Sequence, residues 1–425
     1  MTKNNLSMVD KGVTIPFTNG YSLFADAKNP EWFLKFKRKA FESYLKQYDL
    51  IDGKVKNFIS ADEFCEVDIN LFPSLDMLSK YPMLDVEAYT MVLVNGRYCP
   101  ELSSEEELPF SVFSDGMGLS LSDDGDFLNE KLKCDENPLV ALNSAYLSNG
   151  IVIDIEKDTK LSKPIHIVSI VCGDDDKFFL NPRVFVNVGE NASVDIIESN
   201  LSMDEKYFEN KVLQFNIGKN SFVNHYRYFN VSKNSLVTEN DFFDLGDGAE
   251  LNQISFAKNL GFLNKVYDFS IGESAKLSSL VSVDTKSKNI VDIDAVIRHL
   301  KDGGKSDVSL FAVANDEAEV NFKTSVECVK NISGINTNQI SRIILNSLKA
   351  SGRIKPLQNI ASEKVKAYHG AVVSGVNPKD LFFLESRGLD EQEAKDLVLK
   401  SCLANILQNI HNEKIYDAFY NLIWL

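Results

Sequence analysis

The sequence predicts a mainly β protein: a right-handed parallel β-helix flanked by an N-terminal α/β helical region and by C-terminal helices. Two observations predict it. First, one pattern occurs four times, as Val188-Gly-Glu-Asn-Ala-Ser-Val194, Ile217-Gly-Lys-Asn-Ser-Phe-Val223, Leu245-Gly-Asp-Gly-Ala-Glu-Leu251 and Ile271-Gly-Glu-Ser-Ala-Lys-Leu277. Its glycines, 189, 218, 246 and 272, are 29, 28 and 26 positions apart. A near-constant period in this range marks stacked units, none of which can bury its apolar face alone. Second, the flanking segments alternate as strands do, with Val184-Phe-Val-Asn-Val188 before one turn and Val194-Asp-Ile-Ile197 after it. A β-sandwich with similar hairpins is the alternative, and the even period and the recurring Ala or Ser after the turn favour the solenoid. Glycine followed by Asn, Asp or Ser predicts a tight turn, because these residues tolerate positive φ.

The remaining chain divides around this stretch, giving residues 1–150 as a helical and α+β region, 151–376 as the β-helix and 377–425 as helices. In residues 31–48, Phe33, Phe36, Ala40, Phe41, Tyr44, Leu45 and Tyr48 recur at helical spacing. Lys35, Lys37, Arg38 and Lys39 lie mostly between them and predict a solvated face. Asn95-Gly96, inside Met91-Val-Leu-Val-Asn-Gly-Arg-Tyr-Cys99, is a hairpin signal. Glu101–Glu107 and Asp123–Asp126 look like exposed acidic connections, and residues 137–147 like a helix closed by Asn149-Gly150.

From Ile151 the period becomes that of strands. His166 alternates with Ile165 and Ile167, which predicts a satisfied surface or edge histidine; His225 and His299 sit in similar strand settings. Gly303-Gly-Lys-Ser306 resembles the tail of a phosphate loop. A full motif needs glycine where His299 stands and a helix after Ser306, yet a strand-like run follows, so a turn between coils is expected. Apolar side chains should point inward, each contributing roughly 1.5–3 kcal/mol on full burial, with the acids pointing outward. After Gly375 the spacing turns helical. Asp390-Glu-Gln-Glu393 has capping-box form. Behind it Ala394, Leu397, Val398, Cys402, Leu403, Ile406, Leu407 and Ile410 make a stripe, either packed on the last coil or offered to a partner.

Composition narrows the function. Sixty-one acids against 45 bases give a net charge of −16, which argues against a nucleic-acid or anionic-membrane surface. No secretory leader and no run of about 18 apolar residues is present, so neither membrane spanning nor export is expected. Cys65, Cys99, Cys134, Cys172, Cys328 and Cys402 show no C-x-x-C spacing and read as reduced thiols of a cytoplasmic protein. Clustered metal ligands are absent, which disfavours a self-sufficient metalloenzyme. A polysaccharide-cleaving β-helix enzyme would need a groove of carboxylates.

Lys366-Ala-Tyr-His-Gly-Ala371 followed by Leu381-Phe-Phe-Leu-Glu-Ser-Arg-Gly-Leu389 resembles the C-terminal signature of the SufB/SufD family of iron–sulfur cluster assembly subunits, on its SufD side. Leu93-Val-Asn-Gly-Arg-Tyr98, Lys163-Pro-Ile165 and the stretch from Pro182 to Glu198 extend the similarity over most of residues 90–410. The resemblance implies a non-catalytic scaffold subunit, paired with SufB and driven by the SufC ATPase. It further implies a transient iron–sulfur cluster at the SufB interface and a reduced flavin in the complex. His369 matches the family's functional interface histidine; neutral imidazole suits iron when a partner supplies thiolates. Ser386, Arg387 and Gly388, with Leu397 and Val398, would dock the ATPase. The cluster-building cysteine of SufB corresponds to Ala350, which has no thiol and places the chain with SufD. Ala367 and Val372 stand where SufD often has Cys and Thr, and the coil between Lys330 and Leu345 looks shortened. The metal-free alternative is a protein-interaction β-solenoid.

Overall fold

The computed structural model describes residues 16–17, 31–61, 65–66, 81, 83–113, 137–147, 150–173, 177–203 and 205–424. The acidic stretch Asp123–Asp126, Cys134 and Asn149 lie outside them. Before the solenoid come helix α1 (Glu31–Gln47), helix α2 (Gly53–Ala61) and the short strand β1 (Cys65–Glu66). A hairpin follows, β2 (Tyr89–Val94) and β3 (Arg97–Tyr98), then β4 (Ser111–Phe113) and helix α3 (Pro138–Ala145). Asn95 and Gly96 have φ of 50° and 79°, the pair of left-handed residues that a two-residue hairpin turn demands.

The solenoid is built from two parallel sheets with about eight turns. Strands β5 (Gly150–Ile155), β8 (Arg183–Val188), β10 (Tyr207–Ile217), β12 (Leu236–Leu245), β14 (Phe262–Ile271), β16 (Ile290–His299), β18 (Glu319–Cys328) and β20 (Ser351–Ile360) form sheet A, with β7 (Phe178–Leu180) beside β10. Strands β6 (Ile165–Ile170), β9 (Ser193–Leu201), β11 (Phe222–Asn230), β13 (Glu250–Lys258), β15 (Lys276–Thr285), β17 (Lys305–Ala314), β19 (Ser333–Leu345) and β21 (Lys364–Gly375) form sheet B. From β8 and β9 onward each strand pairs with the strand two along, in parallel, and β5 and β6 pair in parallel with β8 and β9. The sequence repeat therefore becomes a spatial stack. Val188, Ile217, Leu245 and Ile271 are successive register partners in sheet A. Val194, Val223, Leu251 and Leu277 are the same in sheet B. Parallel pairing rules out the sandwich.

The turn glycines act differently from expectation. Positive φ falls two residues later, at Asn191, Asn220, Gly248 and Ser274. The leading glycine is needed because turns stack in contact: a Cβ on Gly218 would lie 2.7 Å from the Gly189 carbonyl carbon and from Glu190 N. Gly303 (φ +73°) turns the chain into β17, so Gly303-Gly-Lys-Ser306 is a turn between coils.

Helices cover both outer faces. Tyr44, Tyr48, Val55 and Leu142 pack on Phe208, Leu236 and Phe262 of sheet A. On the other side lie α4 (Pro378–Glu385), α5 (Glu391–Leu403), a 3-10 segment at Ala404–Asn409, and α6 (Glu413–Trp424). Leu399, Leu403, Ile406, Ile410 and Phe419 from these elements pack on Tyr226, Tyr228, Ile254 and Phe256 of sheet B. On α1, Lys37 is buried with its ammonium 5.5 Å from the Phe33 ring centre, while Lys35, Arg38 and Lys39 are exposed. The coil after Lys330 carries β19, 13 residues long, which pairs with β21 from Ser333 and with β17 from Asn336.

The two ends of the solenoid differ. At the first end the sheets finish in β3 and β4, of two and three residues, paired antiparallel. Short antiparallel edges are blunt. At the other end they finish in β20 and β21, of 10 and 12 residues, which are the terminal strands of their sheets.

Candidate functional site

His369 lies on this open edge. Period-two alternation puts Val365, Ala367, His369, Ala371 and Val373 on the register that continues inward-facing Ile335, Thr337, Gln339, Ser341 and Ile343. Gln339, the register partner of His369, is buried with its Oε1 unpartnered, while His369 itself is exposed. The same column runs back through Val308, Ser279 and Gln253 to His225. His369 is thus the outermost of a largely polar column along the lumen. Around it Tyr368 is 62% exposed, and Leu357, Val372 and Val373 are exposed as well. An edge of unpaired backbone with apolar side chains is suited to receive another strand.

Deeper in the lumen the structure reverses the expectation that acids point outward. Arg227 of β11 lies 2.5 Å from Asp241 of β12 and also pairs with Glu239 and Glu198. Lys211 lies 2.9 Å from Glu198, and Lys265 pairs with Glu239 and Asp241. All six are completely buried or nearly so. Such charges are tolerable only when paired and hydrogen-bonded. Burial would raise Glu198, yet Arg227, Lys211 and His225 outweigh it and hold that carboxyl well below its usual range. Burial raises Glu239 too, but Arg227 and Lys265 prevail and bring it to about 2. Glu209 lacks such direct pairing: burial pushes it up to about 7, with Lys211 opposing. With Glu209 protonated, three cations face three carboxylates.

The signal for this cluster was present in the columns. Lys211, Glu239 and Lys265 are register partners of alternating sign, as are Glu198 and Arg227. The histidines are also interior. His166 faces away from the lumen as its alternation requires, but it is buried rather than at the surface, 2.8 Å from Ser199 Oγ. His225 Nε2 lies 2.7 Å from Glu198 Oε1 and His299 Nε2 lies 3.0 Å from Ser306 Oγ. Burial lowers all three to about 4, so they are neutral at pH 7.

The C-terminal stripe splits in two. Ala394, Leu403, Ile406, Leu407 and Ile410 are buried, and the four from Leu403 onward pack against sheet B, leaving Leu397 and Val398 half-buried. Most of the stripe is therefore consumed by the fold, because a helix face this apolar covers the sheet beneath it. The capping box is present, with Asp390 Oδ1 accepting from Glu393 N at 2.8 Å and Glu393 Oε2 from Asp390 N at 3.0 Å. Ser386, Arg387 and Gly388 are exposed at the end of α4, where Gly388 has φ +98°. The Arg387 guanidinium lies 3.5 Å from the centre of the Phe383 ring. Phe382 and Phe383 are 72% and 53% exposed.

Among the described residues no three His, Cys, Asp or Glu side chains are grouped to hold a metal ion. Cys99, Cys172 and Cys328 are buried, Cys402 is half-buried, and burial raises the thiol of each. None is an activated nucleophile. Ala350 is buried against the lumenal core. The groove of ≈ 800 Å³ between residues 50–54 and sheet A is spanned by the Lys54–Glu319 ion pair, with the Lys323–Asp294 pair along its sheet wall. No helix of the described residues is long and apolar enough to cross a membrane.

The chain matches the family described as SUF system FeS cluster assembly, SufBD core domain, over residues 171–402, and the SufBD protein N-terminal region over residues 80–167. An iron–sulfur cluster assembly SufBD family protein of Synechocystis sp. is 25% identical over 390 residues, 85% of this chain and 81% of its own. The iron–sulfur cluster assembly protein SufD of Escherichia coli is 21% identical over 335 residues, 78% of this chain and 77% of that protein. SufD of Bacillus subtilis is 24% identical over 305 residues, covering 70% and 68%. A solenoid core matched over more than half the chain, preceded by its own N-terminal region, places this protein in the SufBD family of SUF iron–sulfur cluster assembly proteins, as a SufD-like member.

Proposed function

We propose that this chain is a non-catalytic scaffold subunit that pairs, through the open end of its solenoid, with a SufB-type subunit in the cytoplasm. The observation that carries the reading is the uncapped edge of β20 and β21, with exposed His369 on the lumen-facing register. The nascent iron–sulfur cluster is cargo. His369 contributes one imidazole nitrogen at the interface, and the partner supplies thiolates, since Ala350 and the buried cysteines of this chain offer none. Exposed α4, with Phe382, Phe383 and Arg387, docks a SufC-type ATPase, whose conformational work drives the assembly.

The test co-expresses the chain with the SufB- and SufC-type subunits of its organism and measures bound iron and sulfide beside complex yield. His369→Ala removes one exposed side chain, so the complex should form at normal yield while iron and sulfide fall several-fold. Cluster formation at the wild-type level would show the histidine to be structural, leaving the metal-free interaction solenoid.

A further inference from the structure

Gln339 is a buried amide with one end unused. It sits on the lumen face of β19 and is 1% exposed. Its Nε2 lies 3.5 Å from Leu357 O of β20, while its Oε1 has no partner. Packing does not demand an amide here, because its register partner one coil back is apolar Val308. A buried carbonyl oxygen without a donor is unfavourable, and an apolar side chain of the same shape would avoid that cost. Its register partner one coil forward is His369, whose exposed ring meets no hydrogen-bond partner among the described residues. An orphan acceptor thus stands one strand spacing, about 4.8 Å, from an orphan imidazole on the same column.

The same column shows how such neighbours behave. Ser279 Oγ donates to Oε1 of its register partner Gln253 at 2.6 Å. On the other side of Gln253 stands His225, whose Nε2 donates to ionised Glu198. That bond leaves His225 Nδ1 as an acceptor, since a neutral imidazole has one donor and one acceptor nitrogen. We propose that Gln339 is a positioning residue for His369: its Oε1 accepts the N–H of one ring nitrogen and leaves the other facing out of the lumen as an acceptor. The proposal rests on reading His369 as the imidazole offered to the nascent cluster. Iron takes the acceptor nitrogen, and a ligating histidine is held by donating its other N–H to an oxygen behind it. The exposed ring reaches Gln339 by turning into the lumen when the partner covers the edge.

The experiment compares Gln339→Met, which is apolar and of similar length, with Gln339→Glu, which keeps an acceptor oxygen. Gln339→Leu is carried in parallel as a second apolar variant. Each full-length chain is unfolded in urea alone, and each is co-expressed with the SufB- and SufC-type subunits for iron, sulfide and complex yield. A purely structural glutamine ranks the apolar variants above Gln339→Glu in every measurement, because a buried carboxylate is costly. Positioning reverses the order for the cluster. The apolar variants should unfold at or above the wild-type midpoint and assemble at normal yield. Their iron and sulfide should fall several-fold, and a ferrous chelator should strip the remaining iron about tenfold faster. Gln339→Glu should keep most of its iron and sulfide. Gln339→Met/His369→Ala should be no poorer than His369→Ala, because the glutamine acts only through the ring. Normal iron and sulfide in the apolar variants, with His369→Ala depleted, would overturn the role of Gln339 and leave that of His369 standing. Wild-type loading in His369→Ala would overturn both. A loss in Gln339→Glu as deep as in the apolar variants, with the fold intact, would also overturn the proposal, as would an additive loss in the double variant.

Discussion

Arg227 Nη1 of sheet B lies 2.5 Å from Asp241 Oδ2 of sheet A, with both side chains completely buried. The contact crosses the lumen, so in the middle coils the two sheets are held together by ion pairs as well as by apolar packing. Phe215, Phe243 and Phe269 stack beside it along the same lumen. Opposite charges at the repeat spacing also oppose slippage. Moving β10 by two residues against β12 would set Lys211 opposite Val237 in one direction and Glu209 opposite Glu239 in the other, each costlier than a poorly packed methyl group.

Removing one member of this cluster should be severe. Arg227→Met leaves Glu198, Glu239 and Asp241 with only Lys211 and Lys265, which strands buried negative charge. The expected loss is about 3–5 kcal/mol, read from the midpoint of urea unfolding. An unchanged midpoint would mean that water reaches the cluster and replaces the guanidinium.

The histidines give a pH signature with a defined sign. His166 and His299 each meet a serine hydroxyl and no carboxylate, and burial lowers both to about 4 from 6.5. Below pH 6.5 the unfolded chain takes up the proton first, so their contribution to stability is full above pH 6.5. It is lost progressively as pH falls towards 4. Each is worth about 3 kcal/mol over that window. The difference in unfolding free energy between wild type and His166→Gln should therefore vary with pH between 4 and 6.5 and be flat above. A flat difference throughout would show that the imidazole is hydrated when folded.

Much of this architecture was legible because it repeats. Gly189, Gly218, Gly246 and Gly272 set the period, Asn95-Gly96 the hairpin, and Asp390 with Glu393 the start of α5. Each is a local signal with a local cause. What escaped was the product of stacking. The glycines looked like positive-φ residues, yet Gly218 is required because its neighbour in space is Gly189. The expectation that acids point outward failed at Glu198, because local sequence does not show the cations, Lys211 and Arg227, that meet it inside the lumen. His166 was placed correctly on its face but lies beneath cover that the strand itself does not reveal. The C-terminal stripe showed an apolar face without showing that Tyr226 and Phe256 would occupy it.

The glycine stack makes its own prediction. A Cβ at residue 218 would lie 2.7 Å from Val188 O, Glu190 N and the Gly189 carbonyl carbon, all backbone atoms. Neither turn can yield without disturbing the coil pairing on both sides. Gly218→Ala should cost about 1–3 kcal/mol of stability, as overpacking does. Asn220→Gly, at the neighbouring positive-φ position (56°), should cost much less. Equal effects in chemical unfolding would mean that conformation, rather than close approach, selects the glycine.

The helical tail bears the final prediction, and its structure changes how docking must be tested. Cutting the chain after Val376 would uncover Tyr226, Tyr228, Ile254 and Phe256, which Leu403, Ile406, Ile410 and Phe419 now cover. At about 25 cal/mol per Å² of apolar surface, such exposure lowers stability by several kcal/mol and invites aggregation. Loss of ATPase binding in that truncated chain would therefore say nothing about the docking surface. Phe382 and Phe383 are different, because they are exposed on α4 and support none of this packing. Phe382→Ala/Phe383→Ala should leave the melting temperature within about a degree or two of wild type, as changes away from packed features do. Capture of the SufC-type ATPase should fall at least about tenfold, the loss expected when exposed aromatic anchors are truncated. Arg387→Ala should weaken capture less, since its guanidinium already stacks on Phe383. Undiminished capture by the double variant, with the fold intact, would move the docking surface off α4 and onto half-buried Leu397 and Val398 of α5.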